Sequence, residues 1–125
     1  MIRFELPFAI ETLNPLMRRK NRRSHRSRDQ LAWHVLHALG RQRPPAPLGR
    51  CHMRVERYSV GDPDPDNLIT KNLLDILQPM SKRHPAGLGV ISGDSKEWIT
   101  REIIAVRVRR RAEQKTIVTI EEISG

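Results

Sequence analysis

Ile2, Phe4, Leu6, Phe8 and Ile10 alternate with Arg3, Glu5, Pro7 and Ala9. Successive side chains of an extended chain point to opposite sides, so this period of two predicts a strand with one face in a core. Pro7 has no N–H to give to a ladder, so the strand ends early or lies at an edge. The next apolar periodicity is helical. Leu31, Val35, Ala38 and Leu39 form a stripe, Ser27 and Gln30 stand at capping-box spacing before it, and Gly40 suits the left-handed position that closes a helix. Three prolines and a glycine in 41–49 predict a connector.

Cys51, Met53 and Val55 alternate with His52, Arg54 and Glu56, which predicts a second strand running to about Ser59. A second helix is expected from about Pro65 to Leu77, with Leu68, Ile69, Leu73, Ile76 and Leu77 apolar and Pro79 closing it. Gly89–Ser92 is a candidate short strand that delivers Gly93 and Asp94. Ile104, Val106 and Val108 alternate in a further strand and Ile117–Ile123 form the last, so the charged stretch Arg109–Gln114 between them reads as a hairpin. The order β, α, β, α, short β, β, β predicts one α+β domain over residues 1–125, a mixed β-sheet with two helices packed on one face. A chain of 125 residues supports a single modest core, and with 4% aromatics that core must be aliphatic.

Charge adds a partner to this picture. Lys and Arg number 23 against 14 acids, for a net charge of +9, which favours a polyanion and nucleic acid ahead of a membrane surface. Seven of these cations, Arg18, Arg19, Lys20, Arg22, Arg23, Arg26 and Arg28, fall in one stretch that no acid interrupts. Like charges at that density repel, so 11–27 reads as an irregular DNA-binding segment ordered by its partner, against the plainer reading of a solvated loop. No apolar run has the length of a membrane span, and Met1 leads straight into a strand pattern, so a cytoplasmic protein is expected. The lone Cys51 excludes an internal disulfide. His34 and His37 lack companions for a zinc set and read as ordinary surface or core histidines.

The densest chemistry is Gly61-Asp62-Pro63-Asp64-Pro65-Asp66-Asn67. Three carboxylates at alternate positions repel one another, and a hard divalent cation reverses that cost. Asp64 as N-cap, Pro65 in the first position and Asp66 in the first turn also make a good helix start, a role compatible with metal binding. A calcium loop fails, because the glycine and glutamate that such a loop requires are here Asn67 and Leu73. A plain polar turn is the remaining alternative. On a helix Asn67, Lys71 and Asp75 share one stripe, where Lys71 could neutralise a phosphate or simply pair with Asp75 at the surface.

Asp64-Pro-Asp66-Asn67-Leu68, a lysine on the following helix, Leu74-Asp75-Ile76-Leu77 and Gly89-Val-Ile-Ser-Gly-Asp94-Ser95 resemble the RusA-type Holliday junction resolvases of bacteria and their phages. The first strand and the basic segment with its helix are similar to that family's amino-terminal half. The resemblance implies a small homodimer that binds Mg²⁺, or Mn²⁺ in its place. Its two sites nick strands of like polarity across a four-way DNA junction, in recombination and repair. Carried over by position, it implies Asp64, Asp66 and Asp94 as metal ligands and Lys71 as the catalytic lysine; Asp62 has no clear counterpart and is either a helper or a turn residue, and Asn67 is a candidate helper. Two departures stand out. Asn67 to Lys71 is one residue longer than the commonest spacing, so Thr70 takes the strict lysine position, and Gly93-Asp94 replaces a frequent pair of aspartates. The expected activity is metal-assisted phosphodiester hydrolysis, with Arg107, Arg109, Arg110 and Arg111 joining the basic segment in gripping the junction arms. The rival expectation is a basic accessory protein that binds nucleic acid without cutting it.

Overall fold

The computed structural model of the chain describes residues 1–10, 21–60 and 71–123, with the backbone alone at 21–27 and 71–72. Four strands and two α-helices are described: β1 (Ile2–Leu6), α1 (Asn21–Leu39), β2 (Cys51–Ser59), α2 (Lys71–Leu77), β3 (Ile99–Arg107) and β4 (Lys115–Glu122). The strands form one mixed sheet in the order β1-β4-β2-β3, antiparallel at β1–β4 and β4–β2 and parallel at β2–β3. This is the α+β domain expected.

Each strand reflects its sequence pattern. Ile2, Phe4 and Leu6 are buried while Arg3 and Glu5 are exposed, and the strand stops before Pro7 at an edge of the sheet. The free side of that edge is partly covered. The Gln42 side chain accepts from the Arg3 N–H at 3.0 Å and donates to the Arg3 carbonyl at 2.9 Å, which blunts an edge open to pairing. Cys51, Met53 and Val55 line the same inward face, as do Val118 and Ile120 of β4. Val35 and Leu39 of α1 and Leu73, Leu74, Ile76 and Leu77 of α2 close one core over them. Burial of each such side chain is worth about 1.5–3 kcal/mol.

Three local expectations change, and the register of β3 decides a further point. The first helix is described from Asn21, so Ser27 is an interior residue and 21–27 is helical rather than irregular. No glycine or proline interrupts the run, arginine propagates a helix well, and like-charge repulsion along a helix costs only tenths of a kcal/mol per pair. Its far end is as expected, with Gly40 left-handed at φ 54°. The short strand at 89–92 is reduced to one bridge, Leu48 to Ile91. Ile104 and Val106 lie on the sheet face away from the helices, because they register with Glu56 and Tyr58 while Ile103 sits beside the buried Val55. Finally, Arg109–Gln114 is no hairpin. β3 and β4 flank β2, so the connection crosses the end of β2 through a short 3-10 turn at Arg111–Glu113.

Candidate nucleic-acid interface

β1, β2 and β3 all run in one direction, since β1 and β2 are each antiparallel to β4 and β3 is parallel to β2. Their carboxyl ends therefore share one end of the sheet, and three segments emerge there. After Ile10 the chain enters the basic stretch. After Val60 it enters the acidic stretch 61–70, which lies outside the described residues and precedes α2 (Lys71–Leu77). The connection from Val108 to Gln114 crosses between them.

Side chains pin this end. The Arg57 guanidinium donates through Nε to the Ile10 carbonyl at 2.6 Å and through Nη1 to the Ser59 hydroxyl at 2.8 Å. Burial lowers the Arg57 pKa, yet guanidinium stays charged at neutral pH. Fully buried Thr116 accepts from the Ile10 N–H at 3.0 Å and donates to the Phe8 carbonyl at 2.8 Å. These bonds hold 8–10 against the carboxyl end of β2 just before the basic stretch begins. The crossing connection is tied down as well: the Val108 N–H donates to the Ser59 carbonyl at 2.9 Å, and the Val60 N–H to the Gln114 side-chain oxygen at 3.2 Å. Arg107, Arg109, Arg110 and Arg111 are all exposed on it or beside it. Neither Arg57 nor Thr116 stands out in the sequence, where each is an ordinary strand residue.

Asp62, Asp64, Asp66, Asn67 and Thr70 lie outside the described residues, as do Arg18, Arg19 and Lys20. Arg22, Arg23 and Arg26 are on α1 and Lys71 opens α2, described by their backbone only. Asp94 is described and exposed. Its neighbours belong to the other end of the sheet, where β2 and β3 begin. The Ser92 hydroxyl donates to the Leu48 carbonyl at 2.6 Å, the Trp98 indole packs on Gly93, and the Trp98 carbonyl accepts from the Cys51 N–H at 2.9 Å. α2 runs back toward that end, its Leu77 carbonyl accepting from the N–H groups of Val90 at 2.7 Å and Ile91 at 3.0 Å. Among the described residues no three His, Cys, Asp or Glu side chains gather as a metal-ligating group.

Arg28 and Asp75 take places unlike those expected. Asp75 is 7% exposed and its carboxylate faces the Arg28 guanidinium at 3.5 Å and the His84 ring at 3.9 Å, so it is a buried residue and not a surface one. Arg28 is thereby turned inward at the contact between α1 and α2. The signal was available in Leu73-Leu74-Asp75-Ile76-Leu77, because a helix apolar on every side is buried and a carboxylate inside it needs a partner.

No family model, no curated protein and no solved structure matches the chain. Among the described residues no helix is long and apolar enough to cross a membrane.

Proposed function

We propose that the chain is a Mg²⁺-dependent, structure-specific endonuclease that resolves four-way DNA junctions as a homodimer, the activity implied by its RusA-type resemblance. The observation that carries this reading is the shared carboxyl end of β1, β2 and β3. There the exit to the basic stretch, the exit to the acidic loop and the arginine-rich connection 108–114 emerge together. On this reading cations that bind phosphate would meet carboxylates that suit a divalent ion, the pairing a phosphodiesterase needs.

Asp64 and Asp66 would hold the ion, oxygen donors of the kind Mg²⁺ prefers, and Asp94, whose neighbours stand where β2 begins, would complete the set only where the 61–70 segment reaches that end. When bound, it would supply positive charge to the scissile phosphate and acidify the attacking water. Lys71 would stabilise negative charge on the phosphoryl oxygens. Arg109, Arg110 and Arg111 would hold the backbones of the arms by charge, without reading base sequence.

The test is cleavage of a synthetic four-way junction with and without Mg²⁺. Wild type is expected to nick it in symmetric pairs, and Asp66→Asn to bind it without cutting. An Asp66→Asn protein that cuts at the wild-type rate ends the metal-site reading. Lys71→Ala set beside Thr70→Ala identifies which of the two acts in the lysine's place. The position of Asp94, with its neighbours at the start of β2, favours a second reading: a DNA-binding protein without catalysis. That reading predicts tight junction binding and no Mg²⁺-dependent product.

A further inference from the structure

Trp33 stands on the solvent side of α1, 58% exposed, with Leu36 and His37 exposed beside it. The core side of the same helix is fully served by Ala32, Val35 and Leu39. An indole left in water forgoes the burial that aromatic side chains ordinarily contribute. The ring is nevertheless held. Its centroid is 4.2 Å from the His37 ring at 47° and 5.1 Å from the His34 ring at 87°. His34 in turn meets Phe8 edge-on at 4.9 Å, beyond the end of β1. A row of rings thus runs from the sheet to the solvent and presents an ordered aromatic surface, which lessens the entropy lost when something stacks on it.

Charge identifies the occupant. At 100° per residue, positions 22 and 26 of α1 fall within about 20° of the azimuth of Trp33, roughly 16 Å and 10 Å along the axis. Both positions are arginine. The backbone positions of one stripe therefore carry arginine in the amino-terminal half of the helix and tryptophan in its carboxyl-terminal half. Asp29, exposed one turn before Trp33, disfavours a phosphate next to the ring and so separates the two halves. A strand whose phosphates follow the first half brings a base to the second.

We propose that Trp33 stacks on an unpaired nucleobase at or near the branch point of the bound DNA; this rests on the DNA-binding part of the function proposed above. Bases inside a duplex arm are already stacked and offer the ring no free face, whereas an opened branch point or a single strand does. Trp33 would then favour branched over linear DNA, a preference that phosphate contacts alone do not create.

The test is binding in EDTA, so that cleavage plays no part. Three probes are used: a four-way junction carrying 2-aminopurine at its centre, a linear duplex of the same length, and a single strand. Trp33→Ala is expected to bind the junction and the single strand roughly tenfold or more weaker, with duplex affinity unchanged. It should also lose the quenching of 2-aminopurine that wild type produces, and Trp33→Phe should restore most of both. Because Trp33 is exposed, the variant is expected to keep the wild-type circular dichroism spectrum. An equal loss on duplex and junction overturns the proposal, and so does no loss on either. A variant whose DNA affinity is intact but whose solution mass falls overturns it too, marking this face as a contact between copies of the chain. Wild type that stacks on the junction but cuts nothing in Mg²⁺ sinks the nuclease reading and leaves this one standing. Cutting without quenching does the reverse.

Discussion

Arg28 of α1 and Asp75 of α2 meet with guanidinium Nη1 and carboxylate Oδ2 3.5 Å apart, the carboxylate side chain 10% exposed and the guanidinium side chain 26%. The pair joins the helix that carries the basic residues to the helix that follows the acidic loop. Removing either partner strands the other, and the cost is greater when the more deeply buried charge is stranded. Arg28→Met is therefore expected to destabilise more than Asp75→Asn, by about 2 kcal/mol against about 1 kcal/mol. Urea denaturation at neutral pH measures both, and the opposite order would show that Asp75 is held mainly by His84.

The arginine-rich connection makes a separate prediction. Replacing Arg109, Arg110 and Arg111 together by glutamine removes exposed charge and should leave stability nearly unchanged. Junction affinity should fall, and the slope of log affinity against log salt should flatten by roughly 0.9 for each duplex phosphate that the variant no longer neutralises. Arg28→Met, by contrast, should leave that slope as it is. An unchanged slope in the triple variant places the DNA elsewhere on the protein.

Gly87 is required by close approach. A Cβ there would meet the Gln78 carbonyl oxygen and come within 2.7 Å of the Pro79 carbonyl carbon and 2.8 Å of the Met80 nitrogen. All three are backbone atoms next to the carboxyl end of α2, and none can swing aside. Gly87→Ala is expected to cost about 1–3 kcal/mol, the usual range for overpacking. Thermal unfolding of that variant against Gly89→Ala is informative, because Gly89 has open space but a positive φ of 70°. Loss at Gly89 alone would mean that the 80–88 segment yields.

Cys51 gives a pH dependence with a definite sign. Burial first, and then the nearby Glu122 carboxylate, raise its thiol pKa above the ordinary 9.0. The folded state therefore holds this proton more tightly than the unfolded chain. Its contribution is fully present below pH 9.0 and is lost as pH rises from there through the folded-state pKa. Wild type should lose stability relative to Cys51→Ala above pH 9 and run parallel to it at neutral pH, measured by denaturant midpoints. A gap that stays constant into the alkaline range would contradict the shift. The same burial predicts slow alkylation of Cys51 at neutral pH.

Much of the architecture was legible along the chain. Alternation set the inward residues of β1 and β2, Pro7 ended the first strand, and Gly40 closed α1, because strand faces, ladder donors and left-handed turns are local properties. Local reasoning failed where a choice depended on distant partners. The Ser27–Gln30 spacing is a valid cap signal, yet the helix continues through it from Asn21. The polar stretch between β3 and β4 has the composition of a hairpin, yet β2 lies between those strands. β3 has apolar residues at both parities, so only the register with Val55 and Glu56 decides that Ile104 faces outward.

What the sequence determined by itself was chemistry: a basic chain, a dense group of aspartates, and motifs resembling a junction-cutting family. Side-chain identity and short spacing are enough for that. Only the tertiary structure decided what stands beside what. It brings the exits of the basic stretch and the acidic loop to one end of the sheet, because β1, β2 and β3 run the same way. It turns Arg28 inward to Asp75, because a carboxylate in an apolar helix must be compensated where it is buried. And it leaves Trp33 in water, because Ala32, Val35 and Leu39 already fill the core side of α1.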